Sequence, residues 1–468
     1  MPFGTLFCTA LLTNFIGING HDRQRVLEIV VLLLVGLLSF VRQYAASSMV
    51  TAGSTGKLLA AFFALGILGS VTAFAPRFAS FEVATFFLLY LAATAVGCEI
   101  GHHGNAALRL VLKGIAAAGA FYTMRIALNY IGSMSLGLSL DATDFTLGFS
   151  NIRFFNHTQT STLPLLILLC CLTAPAAKLR WLGFAVASCW WMVLFATSAR
   201  GTLMGMVASC AIIAVLRRRQ ALPYLKQTLI TAVLGLLTYL VLLVAVPLLV
   251  GAEPMNAFAA TGERTAVDPA SGRMVLWRRA GELIMHHPLL GVGPMHFAHN
   301  ASDLRAGAHP HDFLMQIGSE WGLPALACLL AAVIMGIYSL LRAGQRIAKD
   351  DTENQTILTA LLATAFCILV DGLVSGIFVM PQSQLGVALY LGCALGWQRH
   401  LTAAAPQKVP QRAARLLMTA SVVAAMVAVI AAVWSDVPAR WRDDDLTPAQ
   451  QAANMGMLSP RLWTAGFF

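Results

Sequence analysis

Apolar residues recur along this chain in runs close to the ~20 residues that cross ~30 Å of hydrocarbon, separated by short polar stretches. Such runs lie near 4 to 19, 25 to 41, 57 to 75, 81 to 98, 108 to 130, 161 to 177, 180 to 197, 202 to 216, 228 to 250, 313 to 341, 356 to 379, 383 to 397 and 415 to 434. The pattern predicts an all-α polytopic membrane protein with 12 to 13 transmembrane helices. The intervening polar segments orient it. RRRQALPYLK after 216, RAGQRIAKDD after 341, WQRHLTAAAPQKVPQRAAR after 396, and Lys178 with Arg180 all fall on one side when the runs are counted through. Short Lys- and Arg-rich loops mark the cytoplasmic side, so the outer side receives residues 131–160, the turn at 198–201, residues 251–312 and the tail.

Composition confirms the solvent. Of the 468 residues 58% are hydrophobic and 11% charged, with a mean hydropathy of +0.73; soluble domains carry about 25% charged residues. A chain of soluble domains is excluded. The net charge of +10 comes from 31 Lys and Arg against 21 Asp and Glu, and the excess lies in the loops between spans rather than in a nucleic-acid motif. The nine cysteines are scattered, mostly within apolar runs, without CxxC or metal spacing. The start, MPFGTLFCTALLTNFIG, lacks a basic n-region and reads as a retained span rather than a signal peptide. Five parts follow: N-terminal helices over 1–130, helices with an outer segment at 131–160 over 131–250, an outer loop at 251–312 carrying the chemistry, C-terminal helices over 313–434, and an outer tail at 435–468.

The outer loop holds five basic and five acidic residues over 251–310, too balanced and too long for a hairpin. Within it SGRMVLWRRAGELIMHHP predicts an interfacial helix, with Ser271 as cap, Met274, Leu276, Trp277, Ala280, Leu283 and Ile284 on one stripe, and His286, His287 and Pro288 as the stop. Six of the eleven histidines lie between His286 and His311. His296 and His299 are three apart with no carboxylate beside them, which does not match a metal template, and interfacial structural histidines account for most of the cluster. His311 differs. In HPHDFLMQIGSEWG, Pro310 and Asp312 mark a helix start, so His311 and its neighbour His309 lie at the membrane face beside a helix N-terminus. The helix dipole favours neutral imidazole, the form a general base requires, and Asp312 pulls the other way. Glu320 is half a turn out of phase with His311.

Arginine is the second signal, because its rigid fork grips phosphate oxygens and stays charged. Arg77, Arg264 and Arg305 read as snorkelling side chains. Arg200 sits in a turn too short to leave the interface. Arg153 stands among the donors Asn151, Asn156, His157 and Gln159. Arg273 and Arg278 are about 140° apart on one helix, so they need not share a site. Convergent arginines on the outer face suggest an anionic membrane-held ligand such as a lipid diphosphate. Asp371, mid-span, needs a partner, and Arg125 is the candidate. Asp443, Asp444 and Asp445 read as a solvated helix start. No phosphate-binding loop for ATP or a dinucleotide is present.

The order SARG between two spans, then GRMVLWRRAGELIMHHPLLGVGPMHF in a long outer loop, then HPHDFLMQIGSEWG running into a span resembles the O-antigen ligase and polymerase superfamily of bacterial inner membranes, over roughly residues 150–400. The resemblance implies a GT-C-like, metal-independent glycosyltransferase, multi-pass in the inner membrane with its site at the periplasmic face. It implies an undecaprenyl-diphosphate-linked glycan as donor, lipid A-core as acceptor, and no cofactor. Arg200 and Arg273 would hold the diphosphate and His311 would be the catalytic histidine. Arg153, Arg278, Asn156, His157, His309 and Asp312 would bind substrate, although the family often has Asn where Asp312 stands. O-antigen ligation is the expected activity, with polymerisation as the alternative. A protein O-oligosaccharyltransferase would need more than the 34 residues after 434. A lipid-linked glycan transporter would show an internal repeat, and the sequence has none.

Overall fold

The computed structural model describes residues 2–16, 20–41, 53–267, 272–402, 412–442 and 459–468. Among these residues the chain is helical and contains no β-strand. Where described, each apolar run of the sequence lies mainly on helix, the run near 356 to 379 leaving it after Gly372. The first are α1 (Pro2–Ile16), α2 (His21–Val41), α3 (Ser54–Thr72) and the 60-residue α4 (Pro76–Ser135). Then come α5 (Ile152–Leu172), α6 (Lys178–Thr197), α7 (Arg200–Arg217) and α8 (Leu222–Tyr239), the last continuing through a π-helical turn to Val250. The segment between spans forms α9 (Ala257–Val267), α10 (Arg273–His286), α11 (Phe297–Asn300) and α12 (Phe313–Glu320). α13 (Leu323–Gly344), α14 (Thr352–Gly372), α15 (Pro381–Leu401), α16 (Arg412–Val433) and α17 (Val437–Arg442) complete it.

Two polar interruptions explain the breaks. α4 holds the two runs near 81 to 98 and 108 to 130, and its helical geometry fails between them at Gly104, at φ 62°. A Cβ there would stand 2.6 Å from the His400 ring, so α15 closes on the break and only glycine fits. α12 and α13 divide the run that sequence reading gave to a single span over 313–341. Gly322, at φ 86°, lies between them, and Glu320 and Trp321 turn inward there.

Among the described residues seven helices, counting α4 as one and α7–α8 as one, are long and apolar enough to cross a bilayer. The most apolar windows of α4 and α14 are 83% buried, those of α7–α8 22% and α13 17%; the first pair forms the centre of the bundle and the others its lipid-facing shell. Val207, Val215, Leu229 and Leu249 stand exposed on that shell, as expected where the solvent is hydrocarbon. Inside, small residues bring helices together: Cβ atoms at Gly392 and Gly396 would lie 2.7 and 2.5 Å from Val96 and Ile100 across the α4–α15 seam.

The bundle has two unlike ends. At one, Arg109 donates to Leu172 O and pairs with Glu353 at 2.9 Å, and Arg217 donates to Gln355, so the basic loops share a face. At the other, the 198–200 turn, the α9–α12 segment, the 373–380 turn and residues 459–468 meet.

Candidate active site

The site grows from the turn that starts α12. Asp312 caps the helix, its carboxylate accepting from Leu314 N at 2.8 Å and Met315 N at 3.1 Å. One residue earlier His311 is forced to φ 57°, a left-handed conformation costly for a bulky side chain and sustained only when the surroundings over-determine it. Those surroundings are explicit. Trp277 Nε1 donates to Pro310 O at 3.1 Å. His311 N donates to His309 Nδ1 at 3.2 Å, and the two imidazoles lie 3.9 Å apart, centroid to centroid. A Cβ at Gly376 would lie 2.7 Å from His309 Cε1 and one at Gly307 would lie 3.6 Å from His311 Nε2, so glycines make room on both sides.

α10 supplies the charge. Its first residue, Arg273, acts electrostatically on both histidines. Burial, then Arg273, then His157 push the His311 pKa down from the usual histidine range to about 3. His309 is pushed well below that range by burial, His311, Arg461, His157 and Arg273. Both rings are neutral at physiological pH. Because His309 Nδ1 accepts from a backbone N–H, its own proton resides on Nε2. Burial raises the Asp312 carboxyl against the pull of its two capped N–H groups.

The opposite wall is the start of α5, where the polar run Asn156 to Thr162 is buried. Asn156 Nδ2 donates to Gln159 Oε1 at 2.8 Å and Thr197 Oγ1 at 2.9 Å. Thr160 donates to Asp371 Oδ2 at 2.8 Å and shares a 2.9 Å hydrogen bond with Thr202. His157 Nδ1 stands 3.7 Å from Asp371 Oδ2, an electrostatic neighbour rather than a hydrogen bond. Asp371 therefore meets Thr160 and His157, not Arg125, which lies beside Tyr122. The sequence offered no route to this pairing, since 211 residues separate Thr160 from Asp371. Among the described residues Asp371 Oδ1, His157 Nδ1 and Asn156 Oδ1 are buried without a hydrogen-bond partner, leaving polar capacity at this wall.

α7 begins against the same carboxylate. A Cβ on Gly201 would lie 2.4 Å from Asp371 Oδ1 and one on Gly205 2.8 Å from Cys367 O, so the glycine following Arg200 is what lets α7 lie on α14. Arg153 braces the turn: Nη1 donates to Thr197 O at 3.0 Å and Ser198 O at 3.2 Å, the terminal carbonyls of α6, a favourable place for a cation.

Other expected residues lie elsewhere. Arg278 is on the exposed face of α10, out of phase with Arg273. Arg279 instead binds Asp303 through 2.9 and 2.8 Å hydrogen bonds, pinning α10 to the following loop. The apolar stripe of α10 also faces protein rather than lipid: Leu276, Ala280 and Leu283 pack with Phe297 and Ala301 in a satellite core. Its N-cap is Gly272; Ser271, the Arg264 side chain and Asp443 to Asp445 lie outside the described residues. His296 is structural, accepting from Ala75 N through Nε2 at 2.8 Å and pairing with Pro294 O through Nδ1. Arg77 pairs with Asp436 instead of snorkelling. No group of three His, Cys, Asp or Glu among the described residues is arranged to hold a metal.

Thus the structure gathers Arg273, His309, His311, His157 and Asp371, with Arg200 following the turn that Arg153 braces. Residues 182–330 match the family model described as O-antigen ligase. The match supports an O-antigen ligase family member. No curated protein matches the chain. Arg200, Arg273, Arg278, His309, His311 and Asp312 fall within the O-antigen ligase match; Arg153, His157 and Asp371 lie outside it. Beside it, an almost wholly apolar cavity of about 370 Å³ extends from Thr55 and Gln398 near the basic end to Phe313, Gln316 and Phe378 at the site end. Phe313 is two residues from His311.

Proposed function

We propose that this protein transfers a glycan from undecaprenyl diphosphate to a hydroxyl of lipid A-core at the periplasmic face of the bacterial inner membrane. On this reading 12 to 13 of the helical segments span the bilayer, and α9 to α12 form the periplasmic loop. The observation that carries the reading is the strained turn that sets the His309 and His311 imidazoles 3.9 Å apart, with Arg273 acting electrostatically on both. The acceptor oxygen attacks the anomeric carbon, its proton passes to His311, and the bond to the diphosphate oxygen breaks with the electron pair leaving on phosphate. Arg273 and Arg200 bind that departing charge and need not reorganise. Attack opposite the leaving group inverts the anomeric centre, without a covalent carboxylate intermediate. No metal takes part.

The depressed base has a kinetic meaning. An imidazole with a pKa of about 3 is a weak proton acceptor, and one of the causes is Arg273. Burial is the larger cause and Arg273 the next; a diphosphate bound to Arg273 offsets the second and makes the imidazole a better proton acceptor than in the empty site. The apolar cavity beside Phe313 suits the isoprenoid chain of such a donor.

Reconstituted protein supplied with lipid-linked glycan and lipid A-core tests the proposal. Transfer by the wild type and its loss in His311→Ala are expected; full transfer by His311→Ala overturns the mechanism. Elongation of a second lipid-linked glycan in place of lipid A-core transfer would make the protein a polymerase.

A further inference from the structure

The ten residues 459–468 contain a buried arginine that the reaction above does not use. Arg461 is 1% exposed, and its Nη2 lies 2.7 Å from Glu82 Oε2 on α4 and 2.5 Å from Glu320 Oε2 at the end of α12. The Gln316 amide oxygen, in the orientation that satisfies both groups, faces the same guanidinium at 3.0 and 3.1 Å. Glu320 Oε1 accepts from Phe297 N at 3.0 Å, and Trp321 Nε1 donates to Glu82 Oε1 at 3.3 Å. One side chain therefore ties one face of α12, through Gln316 and Glu320 a turn apart, to α4.

The rest of the segment is anchored as firmly. Thr464 donates through N and Oγ1 to Asp22 Oδ1 at 2.5 and 2.8 Å, Arg25 Nη2 donates to Arg461 O at 3.1 Å, and Trp463 Nε1 donates to Asp436 Oδ2 at 3.1 Å. Phe468 O pairs with His299 Nδ1 at 2.6 Å, and its ring lies 4.3 Å from Phe78. Gly466 touches the catalytic turn itself: a Cβ there would stand 2.8 Å from Ala308 Cβ and 1.9 Å from Ser459 O. Ala308 precedes His309. The segment thus supports the strained His309–His311 turn from behind while α12 is held at its far end.

We propose that residues 459–468 are a built-in buttress of the catalytic turn, with Arg461 the positioning residue that sets α12, and through it His311, for proton transfer. The proposal rests on the transfer reading above. The contacts of the segment run to Asp22, Glu82, Glu320 and Ala308, which hold α12 and the turn bearing His311, so it governs the chemical step more than donor binding. Misplacing a reacting group by about 1 Å costs about a hundredfold in rate.

The test compares four reconstituted proteins under one transfer assay: wild type, His311→Ala, Gly466→Ala, and a chain lacking residues 459–468 with or without the free peptide SPRLWTAGFF. Gly466→Ala, whose added Cβ would press on Ser459 O and Ala308, is expected to lower the thermal midpoint somewhat and kcat by tenfold to a hundredfold, on the order of such a misplacement, while donor KM holds. The shortened chain is expected to lose kcat likewise and to recover it when the peptide is added. Full kcat in the shortened chain overturns the proposal, as does a Gly466→Ala loss that appears wholly in KM or in the thermal midpoint. Transfer that survives His311→Ala overturns the underlying reading instead, whatever the segment does.

Discussion

A histidine at φ 57° is the residue on which the proposed chemistry turns, and each neighbour has a separable part. His309 receives its N–H, Trp277 fixes the preceding carbonyl, and burial followed by Arg273 disfavours its protonation. Replacing Arg273 by Lys keeps the charge and removes the fork, so kcat should fall about a hundredfold, the cost of one oriented donor to a developing anion, as single-turnover kinetics would show. The pH dependence follows from the sign of the shift. A pKa lowered to about 3 keeps His311 unprotonated as pH falls through the range where ordinary histidines titrate. The profile of kcat/KM should then show no acid limb from His311 between pH 5 and 7. In the unfolded chain the same imidazole binds a proton below its usual pKa of 6.5, so its burial lowers stability as pH drops from there toward 3. Denaturation at pH 4 and 7 measures that difference. Sequence alone exposed His311 and Arg273 because HPHD and GR sit at punctuated positions, a helix start and a Gly-led turn. It left His157 and Asp371 unjoined, since nothing local links the first turns of one helix to the last turn of another.

At the scale of elements, the decisive contact is α7 on α14. Gly201 and Gly205 place α7 so close to Asp371 and Cys367 that no side chain fits between. Gly201→Ala must push against a carboxylate oxygen, costing about 1–3 kcal/mol as an overpacked core does, and it displaces Arg200 as well. A lowered thermal midpoint together with a weakened donor affinity is the expected outcome. The helices themselves were legible because bilayer-length apolar runs are a strong signal, and even the division of α4 at Gly104 appeared as a gap between 98 and 108. The separation of α12 from α13 was not legible: Phe313 to Gly344 is apolar enough to read as one span, and only the inward turn of Glu320 breaks it. α10 misled for a related reason. An amphipathic stripe states that an apolar face needs cover, not whether lipid or Phe297 supplies it.

Across the whole molecule the bundle presents a catalytic turn at one end and an apolar cavity that extends toward the other. If the cavity holds the donor chain, Leu329→Trp, which fills its wall, should lower kcat/KM for a full-length isoprenoid donor by about tenfold, the scale of a few lost methylene contacts. A short-chain donor should react as before; equal losses for both would count against the assignment. Membrane class could be read from hydropathy because it is a sum over many residues. The Glu82–Arg461–Glu320 cluster could not, because 379 and 141 residues separate its partners and each reads locally as an ordinary polar residue near an apolar run. That cluster also sets a calendar for the protein. Residues 459–468 leave the ribosome after every element they complete, so the turn bearing His311 reaches the membrane long before its support does. On the proposed reading nascent chains already hold the arginines and the cavity, yet remain idle until residues 459–468 dock. A cell that stalls or clips translation there would accumulate inserted but silent enzyme, which a pulse-chase comparison of insertion with the onset of transfer would reveal as a lag.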